Sequence, residues 1–399
     1  MGPAAAYESA PSYAVDVSSG ASDEAWDAFV TAQPDGFYMQ SSAWAAFKTS
    51  YAWRVARVTI SREGKIVAGV QVLLRPLPLI GAVGWAPRAP IVAEASADGQ
   101  LTRRVLDELD RFAHRHRVQL MLLQPPSGRA PLLRELEHRG YRPTPLTMAP
   151  TATIVIDLNR DEAALLGDMR KKTRQHIRKG LREGITVREG ARADLSAFYR
   201  LHVATSERQS FTPYPENYFS RLWSALEPSG AARLLLAEFE GELVSALLMI
   251  AYGDTVSTIA VGWAGAHPRR MPNEVLYWSA ITWAKRHGYR RCDLVYIDPR
   301  AGAALIEGRP LPQALRESAT FFKLGLGGEV CVLPSAFERI QNPVLRVVYR
   351  YGLPALLRLK GVRKAVVRLR WQWLPTRGAV SPTASRAALP ARPEPRAGA

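Results

Sequence analysis

One structural unit is written twice along this chain, and a fold that repeats a lobe is the strongest restriction the sequence imposes. Residues 55–70 read as strand, tight turn at Glu63-Gly64, and strand; residues 234–247 repeat that reading around Glu240-Gly241. Residues 106–116 carry apolar side chains at helical spacing and run into the apolar stretch 118–125. Residues 275–287 and 292–299 do the same in the second half. The two helices close on Ala113-His114-Arg115-His116 and Ala284-Lys285-Arg286-His287. Glu-Gly hairpins recur by chance, but hairpin, helix and buried strand in one order, offset by about 170 to 180 residues, do not. Each copy describes a mixed α/β lobe with at least one strand buried on both faces.

The length agrees, since 399 residues exceed one ordinary core. Residues 1–12 and 376–399 are rich in Ala and Pro without periodicity and read as disordered tails. With only Cys292 and Cys331, and no metal spacing among the His residues, neither a disulfide framework nor a metal site is expected, and a reducing compartment is. Residues 1–22 lack the basic and apolar regions of a signal peptide, and no apolar run reaches the roughly 18 residues of a membrane span. The expectation is a cytoplasmic protein whose membrane contact, if any, is peripheral at the inner face. The 53 Lys and Arg against 36 Asp and Glu give +17, a charge that draws nucleic acid, anionic lipid or a pyrophosphate-bearing substrate. A solubilising Arg-rich surface would give the same total.

Three further segments lie outside the duplicated unit. The first is Gln40-Ser41-Ser42-Ala43-Trp44 with Lys48 and Trp53; the second is the basic run from Met169 to Lys179, followed by Gly184-Ile185-Thr186-Val187; the third is Phe321-Phe322-Lys323-Leu324-Gly325-Leu326-Gly327-Gly328. Arg269-Arg270-Met271-Pro272-Asn273 leads into an aromatic-rich helix between the last two. Together, over about residues 35–340, these segments resemble the FemABX family of non-ribosomal peptidyltransferases, whose fold is two fused GCN5-related acetyltransferase (GNAT) domains. The resemblance implies an α/β (α+β) protein of two GNAT-like lobes in tandem. The first would comprise residues 13–152 plus a C-terminal return over about 330–375, and the second residues 153–329. It also implies an aminoacyltransferase that takes an amino acid from aminoacyl-tRNA, without a further cofactor, to the stem peptide of a lipid-linked or UDP-linked muropeptide. Two departures stand out. Val295 and Tyr296 occupy the place of a usual glycine pair, and nothing after Lys179 sustains the heptads of a coiled-coil arm.

Transfer from an aminoacyl ester to an amine needs the substrates juxtaposed, a proton removed and a tetrahedral oxyanion stabilised. By the resemblance, Phe322 and Lys323 are the catalytic pair, with Lys323 supplying the oxyanion charge; on composition alone Lys323 is a surface lysine beside a glycine turn. Lys48 lies four residues after Trp44, on the same helical face. Family placement makes Lys48 and Arg208 phosphate contacts of the acceptor, with Trp44, Asn273 and Asp293 lining the site. Asp298 before Pro299 reads as a turn residue. Arg170, Lys171, Lys172, Arg174, Arg178 and Lys179 put cations on every face of one helix, which suits the tRNA acceptor stem or a pyrophosphate, or else a solvated helix. From Val344 to Trp373, basic and apolar residues alternate without an acid, a basic amphipathic element fit for an anionic membrane or for packing on the first lobe. Two other readings remain open: a CoA-dependent GNAT N-acyltransferase of envelope assembly, and a non-catalytic basic binding protein.

Overall fold

The computed structural model describes residues 13–352 apart from 94–98, 145, 147 and 148. Both expected tails, and the basic amphipathic element beyond residue 352, lie outside the described residues. The first lobe runs β1 (Tyr13–Ser18), α1 (Glu24–Ala32), α2 (Ser42–Thr49), β2 (Arg54–Arg62), β3 (Lys65–Leu77), β4 (Gly81–Pro87), β5 (Ile91–Val92), α3 (Gly99–Arg115), β6 (Val118–Gln124), α4 (Ala130–His138) and β7 (Arg142–Pro143). The second runs β8 (Ala152–Asp157), α5 (Glu162–Asp168), α6 (Lys171–Arg182), β9 (Thr186–Gly190), α7 (Leu195–Arg208), α8 (Glu216–Leu226), β10 (Ala232–Phe239), β11 (Glu242–Tyr252), β12 (Thr255–Trp263), α9 (Pro272–Arg286), β13 (Arg291–Asp293), α10 (Pro299–Ile306), α11 (Ala319–Leu324) and β14 (Glu329–Val332). β15 (Phe337–Ile340) and α12 (Pro343–Val347) follow.

The strands form two mixed sheets that match rung for rung. The first has the order β1-β2-β3-β4-β6-β15-β7, with β5 also on β3, and the second, read from its far edge, β9-β10-β11-β12-β13-β8-β14. Each sheet has one parallel pair, β4 with β6 and β12 with β13, the crossover made by α3 and α9 respectively. β15 thus takes in the first sheet the position that β8 takes in the second, pairing with both β6 and β7. Both hairpins turn on two residues with positive φ, Glu63 (49°) with Gly64 (75°) and Glu240 (51°) with Gly241 (79°), the geometry that follows the twist of the flanking strands. Each also carries a register shift shortly before the turn, at Ile60/Ser61 and at Ala237/Glu238.

The Gln40-to-Trp44 motif is a piece of carpentry. The buried Gln40 amide donates to Pro87 O (2.7 Å) and Gln71 O (3.2 Å), while its Oε1 accepts from Gln71 N–H (2.9 Å). It thereby stands in for a strand between β3 and the end of β4. Ser41 then caps α2, its Oγ accepting from Trp44 N–H (3.1 Å). Ser42 Oγ accepts from the wholly buried Arg57, whose guanidinium also reaches Gln71 Oε1 and Gly20 O, so each of its three nitrogens has an acceptor. These bonds fix the azimuth of α2, which turns Trp44 and Phe47 into a core shared by both lobes with Trp85, Phe198, Tyr218, Phe219 and Trp223. Burying each such side chain contributes roughly 1.5–3 kcal/mol, so the lobes are held by a continuous aromatic core. At the other end, Val344 and Val347 of α12 are 69% and 58% exposed, while Leu345 between them is half-buried.

Candidate active site

The near-continuous apolar strand expected over residues 292–299 is interrupted in the structure. β13 pairs with β12 for three residues, Thr255↔Arg291 to Ser257↔Asp293. Beyond Asp293 the chain leaves β12 but stays with β8: Leu294 N–H donates to Ile154 O (2.9 Å) and Ile297 N–H to Ala152 O (3.0 Å). The break falls at Val295, whose φ of 59° is a left-handed conformation that β-branched residues adopt only under constraint. Two side chains supply the constraint. Asp293 Oδ1 accepts from Val295 N–H (2.7 Å), and Lys323 Nζ donates to the carbonyls of Leu294 (2.8 Å) and Tyr296 (2.9 Å). The residue that departs from the family pattern therefore keeps the backbone shape a glycine would take.

Lys323 projects from α11, capped by Ser318, whose Oγ accepts from Phe321 N–H (3.3 Å). Gly327 and Gly328 turn the chain back at φ 80° and 88°, and a Cβ at Gly328 would stand 2.8 Å from Val155 O, so only glycine fits. Phe322 packs edge-on to Tyr277, ring centroids 5.3 Å apart, which fixes the helix beside the splay. The lysine is not the freely solvated side chain that composition suggested. Loss of hydration pushes its pKa down to about 8, against the attraction of the Asp293 carboxylate. Asp293 also accepts a short hydrogen bond from the Thr153 hydroxyl.

Two residues of the first lobe, absent from the sequence-based set, lie within the electrostatic reach of the same carboxylate. Tyr38 is buried, and its hydroxyl is held well above its ordinary range by desolvation first and by Asp293 second. Arg88, 8% exposed, stacks its guanidinium 5.0 Å from the Phe37 ring and donates from Nη2 to Pro150 O (3.4 Å). Its Nε has no partner among the described residues. Desolvation lowers the Arg88 pKa while Asp293 and Tyr38 oppose it. The available signal was the lone cation of Pro87-Arg88-Ala89-Pro90 inside an otherwise apolar run.

The other expected site residues are distributed around this centre. Trp44 and Lys48 share a face of α2, but Lys48 is only 3% exposed. Its ammonium lies 5.4, 5.4 and 5.1 Å from the ring centroids of Trp44, Phe47 and Trp85, and desolvation pushes it down to about 7. Neither a solvated helix lysine nor an open phosphate contact describes that position. Tyr38 joins the two groups, its ring 5.3 Å from Trp44 and its hydroxyl within the field of Asp293. Arg208 is exposed, stacked 4.7 Å over Trp263 and bonded to Trp263 O at the end of β12. Asn273, in the first turn of α9, accepts from Ser245 Oγ (2.6 Å). Of the basic run, Arg170 and Arg174 are spent on backbone carbonyls, Arg170 on Phe321 O (3.0 Å) and Arg174 on Gly167 O (3.0 Å). Lys171, Lys172 and Arg178 are exposed, with no ion pair among the described residues. Among the described residues no group of His, Cys, Asp and Glu is arranged to hold a metal, and no helix is long and apolar enough to cross a membrane.

Residues 21–135 match the FemAB family model, and residues 167–301 the acetyltransferase (GNAT) domain model. A lipid II:glycine glycyltransferase of Staphylococcus saprophyticus is 27% identical over 228 residues, 55% of this chain and 55% of the relative. One of Staphylococcus aureus is 25% identical over 225 residues, 54% of this chain and 53% of the relative. The chain spans about half the length of the curated relatives it matches. Among solved structures, FemX superposes with a TM-score of 0.73 at 18% identity, covering 82% of this chain and 97% of FemX. A tandem GNAT protein from the clavulanic acid biosynthesis pathway superposes with a TM-score of 0.50 at 11% identity, over 83% of this chain and 99% of that one. These similarities establish the fold as two GNAT-like lobes in tandem.

Proposed function

The chain is of the FemAB type over residues 21–135 and of the acetyltransferase (GNAT) type over residues 167–301, and from that premise we propose that it is an aminoacyltransferase. It moves an amino acid from aminoacyl-tRNA to an amine on the stem peptide of a peptidoglycan precursor. The observation that carries the reading is Lys323: an ammonium of lowered pKa, locked to two carbonyls, where β13 peels away from β12. The pairing of β13 with β12 ends at Asp293, and the parting of the two strands offers a slot for an extended donor. An oxyanion developing there exchanges one neutral carbonyl for a full negative charge at Lys323, an interaction stronger in the transition state than in the ground state. Asp293 keeps the lysine cationic near neutrality. The glycyltransferases similar to this chain act on lipid II by name, which favours a lipid-linked acceptor.

The deciding experiment is a transfer assay with purified protein, a pool of radiolabelled aminoacyl-tRNAs, and lipid-linked or UDP-linked muropeptide, with and without ribonuclease. Ribonuclease-sensitive label in the muropeptide supports the proposal and identifies the amino acid. Turnover with acyl-CoA instead would favour the second reading, an N-acyltransferase, which rests on the GNAT match of the second lobe.

A further inference from the structure

Beside α11 lies an open apolar groove of about 710 Å³ whose lining includes neither Lys323 nor Asp293. Its walls are Leu305 and Ile306 at the end of α10 and Phe321 and Leu324 of α11, with Val330 of β14 as floor. Leu305, Phe321 and Ile306 are 36%, 38% and 60% exposed, and Val332 beside them 44%, so this surface leaves a contiguous run of large apolar side chains in water. The apolar faces are held open by the framework. Gly302 lets α10 approach β14, a Cβ there standing 3.1 Å from Val332, and Arg170 N–H bonds Gly325 O (3.0 Å), fastening the start of α6 to the end of α11.

The rim is cationic. Arg170 and Arg316 line the groove, and Arg170 lies flat on Phe321, 3.9 Å from its ring centroid. Lys171 and Lys172 follow Arg170 in the chain, both exposed; like Arg316, neither has an ion pair among the described residues. Glu307, next to Ile306 in the chain, is paired with Arg309, and no acid lines the groove. An exposed apolar groove rimmed by cations, of which Arg316, Lys171 and Lys172 have no ion pair among the described residues, is complementary to the interface of an anionic bilayer.

We infer that this face of the second lobe docks on anionic phospholipid, with Ile306, Leu305 and Phe321 entering the acyl region and Arg316, Lys171 and Lys172 meeting the headgroups. A nucleic acid is the less suitable occupant, because the groove is lined mainly by aliphatic side chains with no second aromatic to stack a base. The inference does not depend on the transfer reaction, and its test involves no tRNA. Flotation with phosphatidylcholine vesicles containing about one third phosphatidylglycerol should retain the full chain, with Ile306→Glu reducing the partition at least tenfold and Arg316→Ala severalfold. Vesicles of phosphatidylcholine alone should retain little. A bimane on Leu305→Cys, in a chain carrying Cys331→Ser, should shift to the blue on the anionic vesicles. If the protein floats while the bimane spectrum stays unchanged, membrane binding lies elsewhere in the chain and the inference fails. Equal binding to neutral vesicles, or full binding by Ile306→Glu, overturns it as well.

Discussion

Lys48 places a cation inside an aromatic core, and replacing it by Met should change stability in a pH-dependent way whose sign is fixed. Met fills a similar volume without charge. Desolvation lowers Lys48 from 10.5 to about 7, a difference equivalent to about 5 kcal/mol against the cation. The three ring faces at 5.1–5.4 Å attract the cation by about 2 kcal/mol, which leaves a net penalty of about 3 kcal/mol and moves the release of the proton from the folded chain somewhat above 7. Below pH 7 both folded and unfolded chains hold the proton, and the folded chain bears the whole penalty. As pH rises from about 7 towards 10.5, the folded chain releases a proton that the unfolded chain keeps, so the wild-type protein gains stability. Lys48→Met lacks that gain. The variant should be more stable by about 3 kcal/mol at pH 6, the margin closing as pH approaches 10. Urea unfolding followed by tryptophan fluorescence at pH 6, 7.5 and 9 measures the margin, since every other titrating group is common to both proteins. A margin constant with pH would refute the reasoning, and so would a variant less stable at pH 6.

The remaining predictions concern the splay. Lys323→Ala should lower kcat by about 10²–10³ with acceptor binding intact, as loss of one oxyanion donor does, and in the wild type kcat should fall as pH rises through about 8, where the ammonium is lost. Asp293→Asn keeps an acceptor for Val295 N–H but removes the charge that supports the ammonium, so the alkaline limb should move to lower pH; an unmoved limb would dissociate it from Lys323. Val295→Gly should relieve a left-handed strain of about 1–2 kcal/mol at an entropic cost of about 0.5–1 kcal/mol. A small net gain in denaturant midpoint is expected, whereas Val295→Ala, which keeps the positive φ, should show none.

How far the molecule was legible varied with the range of the interactions. The Glu-Gly turns and the two crossover helices appear where their local pattern puts them, because two-residue turns and 3.6-residue periodicity are written in adjacent residues. The end of β13 was not legible. Residues 294–297 that follow it are as apolar as the middle of β6, and the shape in which the chain departs from β12 is held by Asp293, which accepts from Val295 N–H, and by Lys323, some thirty residues on, which satisfies the carbonyls of Leu294 and Tyr296. The same limit applies to Lys48: helical spacing correctly aligned it with Trp44, but its burial comes from Trp85, on a strand that no local pattern places above α2. For Arg170 and Arg174, a count of cations could not separate those bonded to carbonyls from those left free.

The duplication also bears on why the chemistry should reside in one lobe. In the first lobe the parallel pair is closed: after a register shift at Ala82/Val83, β4 and β6 stay paired to Pro87↔Gln124, and the Gln124 amide ties the strand end to Pro334 O (3.1 Å) and accepts from Ala149 N–H (2.8 Å). In the second lobe the same pair opens after three rungs. The closed copy keeps its strand ends paired, whereas the open copy parts from β12 after Asp293 and has the carbonyls of Leu294 and Tyr296 held by a cation. Lys323 provides that cation from outside the repeat, so a residue required to stabilise the splay is also the one positioned to stabilise charge on whatever enters it. Lys323→Met therefore tests both roles at once. A purely structural lysine predicts a lower denaturant midpoint and residual turnover in proportion to folded protein, while the dual role predicts turnover lost in molecules that remain folded.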